Sequence, residues 1–174
     1  VFMKGCPLAC QWCHNPEGLS PNRQKMYGKK KCIGCRSCVE ACPRGGLELT
    51  RDGIRSTGVE CTLCGTCVDE CPTLALEMAG KEYSMTELMK LVEKDRVVME
   101  TSGGGVTLCG GEPLMHPEAL VEILEELERR GLHRTVDTTL YASEATVEKV
   151  LPHADLFMVD LKHMDSDKHR KYTG

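Results

Sequence analysis

Val106-Thr107-Leu108-Cys109-Gly110-Gly111-Glu112-Pro113 reads as a short apolar strand that stops at a glycine pair. The run is too short for a buried helix and ends in turn residues, so a buried strand is expected over Val106–Cys109. Downstream, Pro117 opens a helix with Leu120, Ile123, Leu124 and Leu127 on one face and Gly131 as its stop. Arg134–Asp137 reads as a second strand. Ser143–Leu151 is a short helix halted by Pro152, and Leu156–Asp160 is a third strand. Upstream, Ser84-x-x-Glu87 has the form of a capping box, and Leu88, Leu91 and Val92 follow as one apolar face. Strands alternating with helices predict an α/β fold, a parallel sheet with its helices outside. Right-handed crossovers then give a closed or partly closed barrel.

In such a sheet the loops after the strands gather at one edge, where ligands bind. The unusual residues of this chain fall there. A strand-like Val1–Gly5 runs into Cys6, Cys10 and Cys13, a C-x3-C-x2-C triplet followed by His14. Gly110, Gly111 and Glu112 follow the next strand. Asp137-Thr138-Thr139 ends another, and Asp160-Leu161-Lys162 ends the last. Three thiolates can hold three irons of a cubane and leave the fourth iron open to a substrate; an open coordination position is what separates catalytic from structural metal sites. A zinc knuckle completed by His14 is the alternative at this triplet.

Between the triplet and the capping box the composition changes. Residues 15–30 carry Asn15-Pro16, Gly18, Ser20-Pro21 and a lysine run, which is linker composition. Then Lys31–Leu49 repeats as Glu60–Met78. Each copy holds C-x2-C-x2-C-x3-C-P: Cys32, Cys35, Cys38, Cys42 and Cys61, Cys64, Cys67, Cys71. That is the spacing of a two-cluster bacterial ferredoxin, in which the fourth cysteine of each run serves the other cluster. Two zinc sites are the alternative. So little apolar sequence needs metal to fold.

Twelve cysteines could instead mean a disulfide scaffold. The tight spacings, the ordinary globular sequence around them and the absence of a signal peptide at Val1–Gly5 speak for metal in a reduced compartment. A net charge of −4 gives no reason to expect nucleic acid or a membrane surface as partner. No apolar run approaches a membrane span.

Cys6-Pro-Leu-Ala-Cys10-Gln-Trp-Cys13-His14-Asn15 resembles the signature of the radical S-adenosylmethionine (SAM) superfamily. Together with Ser102–Val106, Cys109-Gly-Gly-Glu-Pro113, Asp160-Leu-Lys162-His-Met-Asp165 and Tyr172-Thr-Gly174, it resembles the activating enzymes of glycyl radical enzymes, specifically the longer members with an inserted two-cluster ferredoxin-type domain. The resemblance implies a partial radical SAM barrel starting at 1–27, an inserted ferredoxin-like domain at 28–80, and the barrel's continuation at 81–174, with parts missing at both ends. It implies three [4Fe-4S] clusters, SAM and a monovalent cation. Cys6, Cys10 and Cys13 would hold the catalytic cluster. Trp12, Cys13, His14, Gly110, Gly111, Glu112, Asp137, Asp160, Leu161 and Lys162 would meet SAM or the cation. The expected partners are a glycyl radical enzyme and an electron donor such as flavodoxin or ferredoxin, in an anaerobic cytoplasm. The competing reading is a ferredoxin-type electron-transfer module whose third cluster is not catalytic.

Three positions depart from the family pattern. Ala9 stands where a basic residue is common, Cys109 where serine is usual, and Leu140 where the run after Asp137 normally has glycine. His153, His163 and His169 lie in polar segments and read as surface.

Overall fold

Strand β1 (Phe2–Met3) leads straight into the triplet loop. The chain then departs for a separate unit, returns, and completes the sheet that β1 began. The computed structural model describes residues 1–174. They divide into two units, Val1–Asn22 with Glu82–Gly174, and Arg23–Lys81.

The Arg23–Lys81 unit is an internal duplication. Its elements are β2 (Gln24–Tyr27), α1 (Ser37–Glu40), β3 (Leu47–Thr50), β4 (Gly53–Ser56), α2 (Thr66–Asp69) and β5 (Leu76–Ala79). β2 pairs antiparallel with β5, and β3 with β4. The counterpart of β2 lies 29 positions on, in β4, and that of β3 in β5. The register obeys the same rule: Gln24 faces Ala79 as Gly53 faces Thr50. The duplication therefore reaches back to residue 24, into a stretch whose composition reads as linker. Gln-Lys-Met-Tyr shares no residue with Gly-Ile-Arg-Ser, so β2 is specified by its pairing with β5 rather than by its own pattern. Left-handed turns recur at the same offset, at Gly34 and Leu63, Arg36 and Gly65, Gly45 and Leu74. Cys38, Leu47, Ile54, Cys67 and Leu76 form the small core.

In the other unit the chain runs α3 (Met85–Val92), α4 (Arg96–Ser102), β6 (Gly105–Gly110), α5 (Pro117–Arg129), β7 (His133–Thr138), α6 (Glu144–Val150), β8 (Leu156–Val159) and α7 (Ser166–Thr173). The strands form one parallel sheet in the order β1-β6-β7-β8. Leu120, Ile123, Leu124 and Leu127 of α5 are buried with Leu108, Val136 and Val150, each side chain contributing about 1.5–3 kcal/mol. Gly131 ends α5 in the left-handed conformation, at φ 68°. Ser84 caps α3, and Glu87 reciprocates. The buried face of α3 is Met89 and Val92, with Met85 and Leu88 packed beside them. Leu91 is exposed, because i, i+3, i+4, i+7 spacing from Met85 passes it by.

Arg134 and Asp155 join the start of β7 to the turn before β8. The Asp155 carboxylate accepts from the Arg134 backbone N–H at 2.8 Å and from the guanidinium at 2.9 and 2.8 Å. Those hydrogen bonds hold its carboxyl well below the usual carboxylate range.

Four helices have no counterpart in the sequence pattern: the four-residue α1 and α2 of the duplicated unit, and α4 and α7. α4 has no apolar stripe, since Val97 and Val98 are both exposed. Its first residue, Arg96, is gripped by Glu93 and Glu100. α7 is polar throughout; its start is fixed by Asp165, whose carboxylate accepts from the N–H groups of Asp167 and Lys168 at 3.0 and 2.9 Å.

Candidate functional site

A cavity of about 370 Å³ opens at the edge where β1, β6, β7 and β8 end. Cys6, Cys10 and Cys13 line it, with Trp12 and His14 from the same loop. Gly110 and Gly111 reach it from β6, Asp137 from β7, and Asp160 and Lys162 from the end of β8. Two expected residues do not face it. Leu161 is exposed on the surface, its neighbours on either side pointing inward. Glu112 is wholly buried below.

The triplet loop is held by its backbone. At its base Gly5 N–H donates to Gly18 O at 2.8 Å and Cys6 N–H to Leu19 O at 3.0 Å. At its crown Ala9 N–H donates to Thr173 O at 2.6 Å and Gln11 N–H to Tyr172 O at 2.9 Å. Leu8 is buried, and Trp12 meets the Tyr172 ring at a 6.3 Å centroid distance. The end of α7 thus clamps the cysteine loop. Thr173 is buried too, and its hydroxyl donates to His169 O at 2.8 Å and lies 3.1 Å from His169 Nδ1. His169 is therefore part of the clamp and not a plain surface residue. Burial pushes the Cys6 thiol up, and nearby Glu112, Cys10 and Cys13 push the same way.

Glu112 is a positioning residue. Its carboxylate accepts from Leu114 N–H at 3.1 Å, Thr138 Oγ1 at 2.5 Å, Thr139 N–H at 2.8 Å and Thr139 Oγ1 at 2.6 Å. Its own N–H donates to Gly5 O at 2.7 Å, and Gly111 N–H to Met3 O at 2.9 Å. The carboxylate thereby ties the turn after β6 to the end of β7 and the turn after it, while the backbone N–H of the same residue reaches the base of the triplet loop. A Cβ on Gly111 would collide with the backbone of Gly5 and Gly18, so the glycine permits the close approach. Thr138 and Thr139 stand beside Asp137 at the strand end, and the sequence alone assigns them no role.

Asp137, Asp160 and Lys162 are the charged lining. Lys162 Nζ donates to Asp160 Oδ2 at 2.6 Å. Burial works against the Lys162 ammonium, but Asp160 outweighs it and the pKa lies above the ordinary lysine value. Burial raises the Asp137 carboxyl, and Asp160 and Glu112 add to that while Lys162 opposes it. Cys109 also lines the cavity, but its Sγ lies 3.6 Å from Val1 O. Burial raises its thiol, and Asp137 adds to the shift.

Leu140 holds φ 56° just past the β7 turn. A left-handed residue other than glycine costs about 1–2 kcal/mol, and glycine's extra chain entropy returns roughly half of that. Leu140→Gly is therefore expected to stabilise the protein by about 0.5–1 kcal/mol, read as a rise in the chemical-denaturation midpoint at constant m-value.

The duplicated unit holds two hollows. One is lined by Cys32, Cys35, Cys38 and Cys71, the other by Cys61, Cys64, Cys67 and Cys42. The fourth cysteine of each run has crossed to its neighbour's hollow. The sulfurs receive matched hydrogen bonds: Gly46 N–H to Cys42 Sγ and Ala75 N–H to Cys71 Sγ, both 3.2 Å, and Ser37 to Cys35 and Thr66 to Cys64, both 3.4 Å. Those bonds pull the Cys35, Cys42 and Cys64 thiols down; at Cys71 burial works the other way but is outweighed by the backbone N–H groups of Leu76, Thr73 and Ala75.

Residues 31–75 match the family model for the 4Fe-4S dicluster domain. Over its whole length the chain is 43% identical to the choline trimethylamine-lyase activating enzyme of Oleidesulfovibrio alaskensis, of which it covers 57%. It is 42% identical, again over its whole length, to the trans-4-hydroxy-L-proline dehydratase activating enzyme of Clostridioides difficile, of which it covers 58%. Its homologues are activating enzymes. The chain spans a little over half the length of these curated relatives. A solved domain of the pyruvate-formate lyase-activating enzyme of Bacteroides vulgatus is 52% identical over 40% of this chain and 43% of that one, with a TM-score of 0.37, too low to speak to architecture. No helix is long and apolar enough to cross a membrane.

Proposed function

We propose that the protein is a radical SAM activase for a glycyl radical enzyme, built as a partial (β/α) barrel interrupted by a ferredoxin-like domain with two clusters. The observation that carries this is the convergence of three thiols, a glycine turn, two carboxylates and an ammonium on one cavity. Its volume of about 370 Å³ lies in the range of roughly 300–1,000 Å³ usual for small-molecule sites. A simple electron carrier has no use for such a cavity.

The donor sets fit iron–sulfur clusters. Nowhere in residues 1–174 do three His, Cys, Asp or Glu side chains converge on a single-ion centre. Thiols spread around a hollow suit a polynuclear cluster better than one tetrahedral zinc. Cys6, Cys10 and Cys13 would hold the first [4Fe-4S] cluster, and the two mixed quartets of the duplicated unit a second and a third. When bound, the first cluster and SAM supply one-electron cleavage of the sulfonium C–S bond, giving methionine and a 5′-deoxyadenosyl radical that takes a hydrogen atom from a glycine Cα of the partner protein. This chain's residues bind and orient. The backbone around Gly111 would meet the amino group of SAM, and Trp12 and His14, which line the same cavity, would contact the rest of it. Lys162 and Asp160 present both signs to a zwitterion that also carries a sulfonium. Asp137, half-buried with Asp160 nearby, would be the carboxylate for a monovalent cation. The walls keep water from the reacting atoms. An external flavodoxin or ferredoxin would feed the clusters, and their oxygen sensitivity suits an anaerobic cytoplasm.

The test is anaerobic incubation of the intact, iron-loaded protein with SAM and dithionite. 5′-Deoxyadenosine and methionine are expected in equal amounts. Their absence with every cluster intact would overturn the reading.

A further inference from the structure

We infer that the two clusters of the duplicated unit stand at unequal reduction potentials, and that Lys25 sets the difference by holding a positive charge against the hollow of Cys42, Cys61, Cys64 and Cys67. The inference rests on the reading that both hollows carry clusters.

The near-symmetry of the unit isolates the cause. Residues 29 apart do the same work in the two halves, and the N–H and hydroxyl donors to sulfur already described match pairwise in length. The symmetry breaks at Lys25. It lines its hollow, and its Nζ lies 4.0 Å from Cys61 Sγ. Its counterpart lining the other hollow is Ile54, only 8% exposed. On that side Cys32 instead neighbours the neutral hydroxyl of Tyr27. The remaining charges do not restore the balance. Arg44 and Glu60 line the Lys25 hollow with opposite signs. Arg36 lines the other and lies 4.0 Å from Glu40, both side chains largely exposed. Leu63 N–H, 3.4 Å from Cys61 Sγ, adds to the effect of Lys25.

A cluster becomes more negative by one charge on reduction. A fixed cation beside it stabilises the reduced form and raises the potential, while an apolar wall does the opposite. The cluster beside Lys25 is thus the electron acceptor of the pair, and its twin beside Ile54 the stronger reductant.

The experiment is an anaerobic redox titration of the intact, reconstituted protein, followed by electron paramagnetic resonance. Dithionite and mediators supply the electrons, one per cluster. The triplet is replaced (Cys6→Ala, Cys10→Ala, Cys13→Ala) so that only the duplicated unit titrates. Two waves are expected. Lys25→Ile, which copies the twin position, should lower the upper wave by at least about tenfold in equilibrium constant, about 59 mV for a one-electron couple, and leave the lower wave in place. Lys25→Arg should keep both. Equal displacement of both waves, or of neither, overturns the inference. Iron and sulfide analysis separates the two failures: hollows that do not take up two clusters refute the underlying reading instead. If Lys25→Ile does not load, the unsubstituted lysine still decides. Lys25 is partly solvent-exposed, so added salt should screen it and lower the upper wave alone; salt-independent spacing of the waves rejects the role of Lys25.

Discussion

Cys10→Ala is expected to reduce SAM cleavage to background while leaving the duplicated unit fully loaded. Cys6, Cys10 and Cys13 share one cavity, and a cubane held by two thiolates would have two unprotected irons. Iron content should fall by about four atoms in roughly twelve, one cluster in three. The loop itself should survive. Its crown is tied by the backbone N–H groups of Ala9 and Gln11 to Thr173 and Tyr172, and Leu8 anchors it from below. Neither tie uses the Cys10 side chain. The check is iron and sulfide analysis beside a 5′-deoxyadenosine assay, with circular dichroism to establish the fold. Retained cleavage would remove Cys10 from the catalytic set. Loss of iron from the duplicated unit as well would show that the two donor sets are not independent.

The parts of this protein visible in its sequence are those where one residue type meets one physical demand. The α5 stripe, the glycine stop at 131, the Ser84–Glu87 cap and the β6 strand all follow from period and end chemistry. The cysteine spacings predict that the fourth thiol of each run sits with the other run, and the two hollows place those thiols together. What escaped depends on partners distant in sequence. β2 is a strand because β5 lies beside it. α7 buries only Thr173, so no apolar period announces it, yet its last turn holds the triplet loop. Lys25 looks like one solvated lysine among many until the 29-residue repeat matches it to Ile54 and the fold sets it against its hollow. Glu112 reads from its motif as a cofactor contact, yet its carboxylate is buried against Leu114, Thr138 and Thr139 and does not line the cavity: a motif gives residue identity, and only the fold gives orientation.

That orientation predicts a large stability effect. Glu112→Ala is expected to destabilise the protein by about 3 kcal/mol or more. The carboxylate is fully buried and takes four hydrogen bonds from Leu114, Thr138 and Thr139. Hydrogen bonds to a charged group contribute about 1.5–3 kcal/mol each, and truncation strands their donors in a dry interior. Removing the charge itself recovers part of that loss, since an ionised buried group is costly to hold, so the sum of four full bonds is not expected. Glu112→Gln separates the two effects. The amide oxygen can still accept from Leu114 and Thr138, but the amide nitrogen then faces the Thr139 N–H, donor against donor. It should fall between wild type and alanine. Thermal unfolding of the β6–β7 unit should drop by on the order of 10 °C in the alanine variant. SAM affinity should fall in the glutamine variant even where it remains folded, because the turn carrying Asp137 loses its tether. A glutamine variant with wild-type stability and wild-type SAM affinity would mean that the turns after β6 and β7 are held together by something other than this carboxylate.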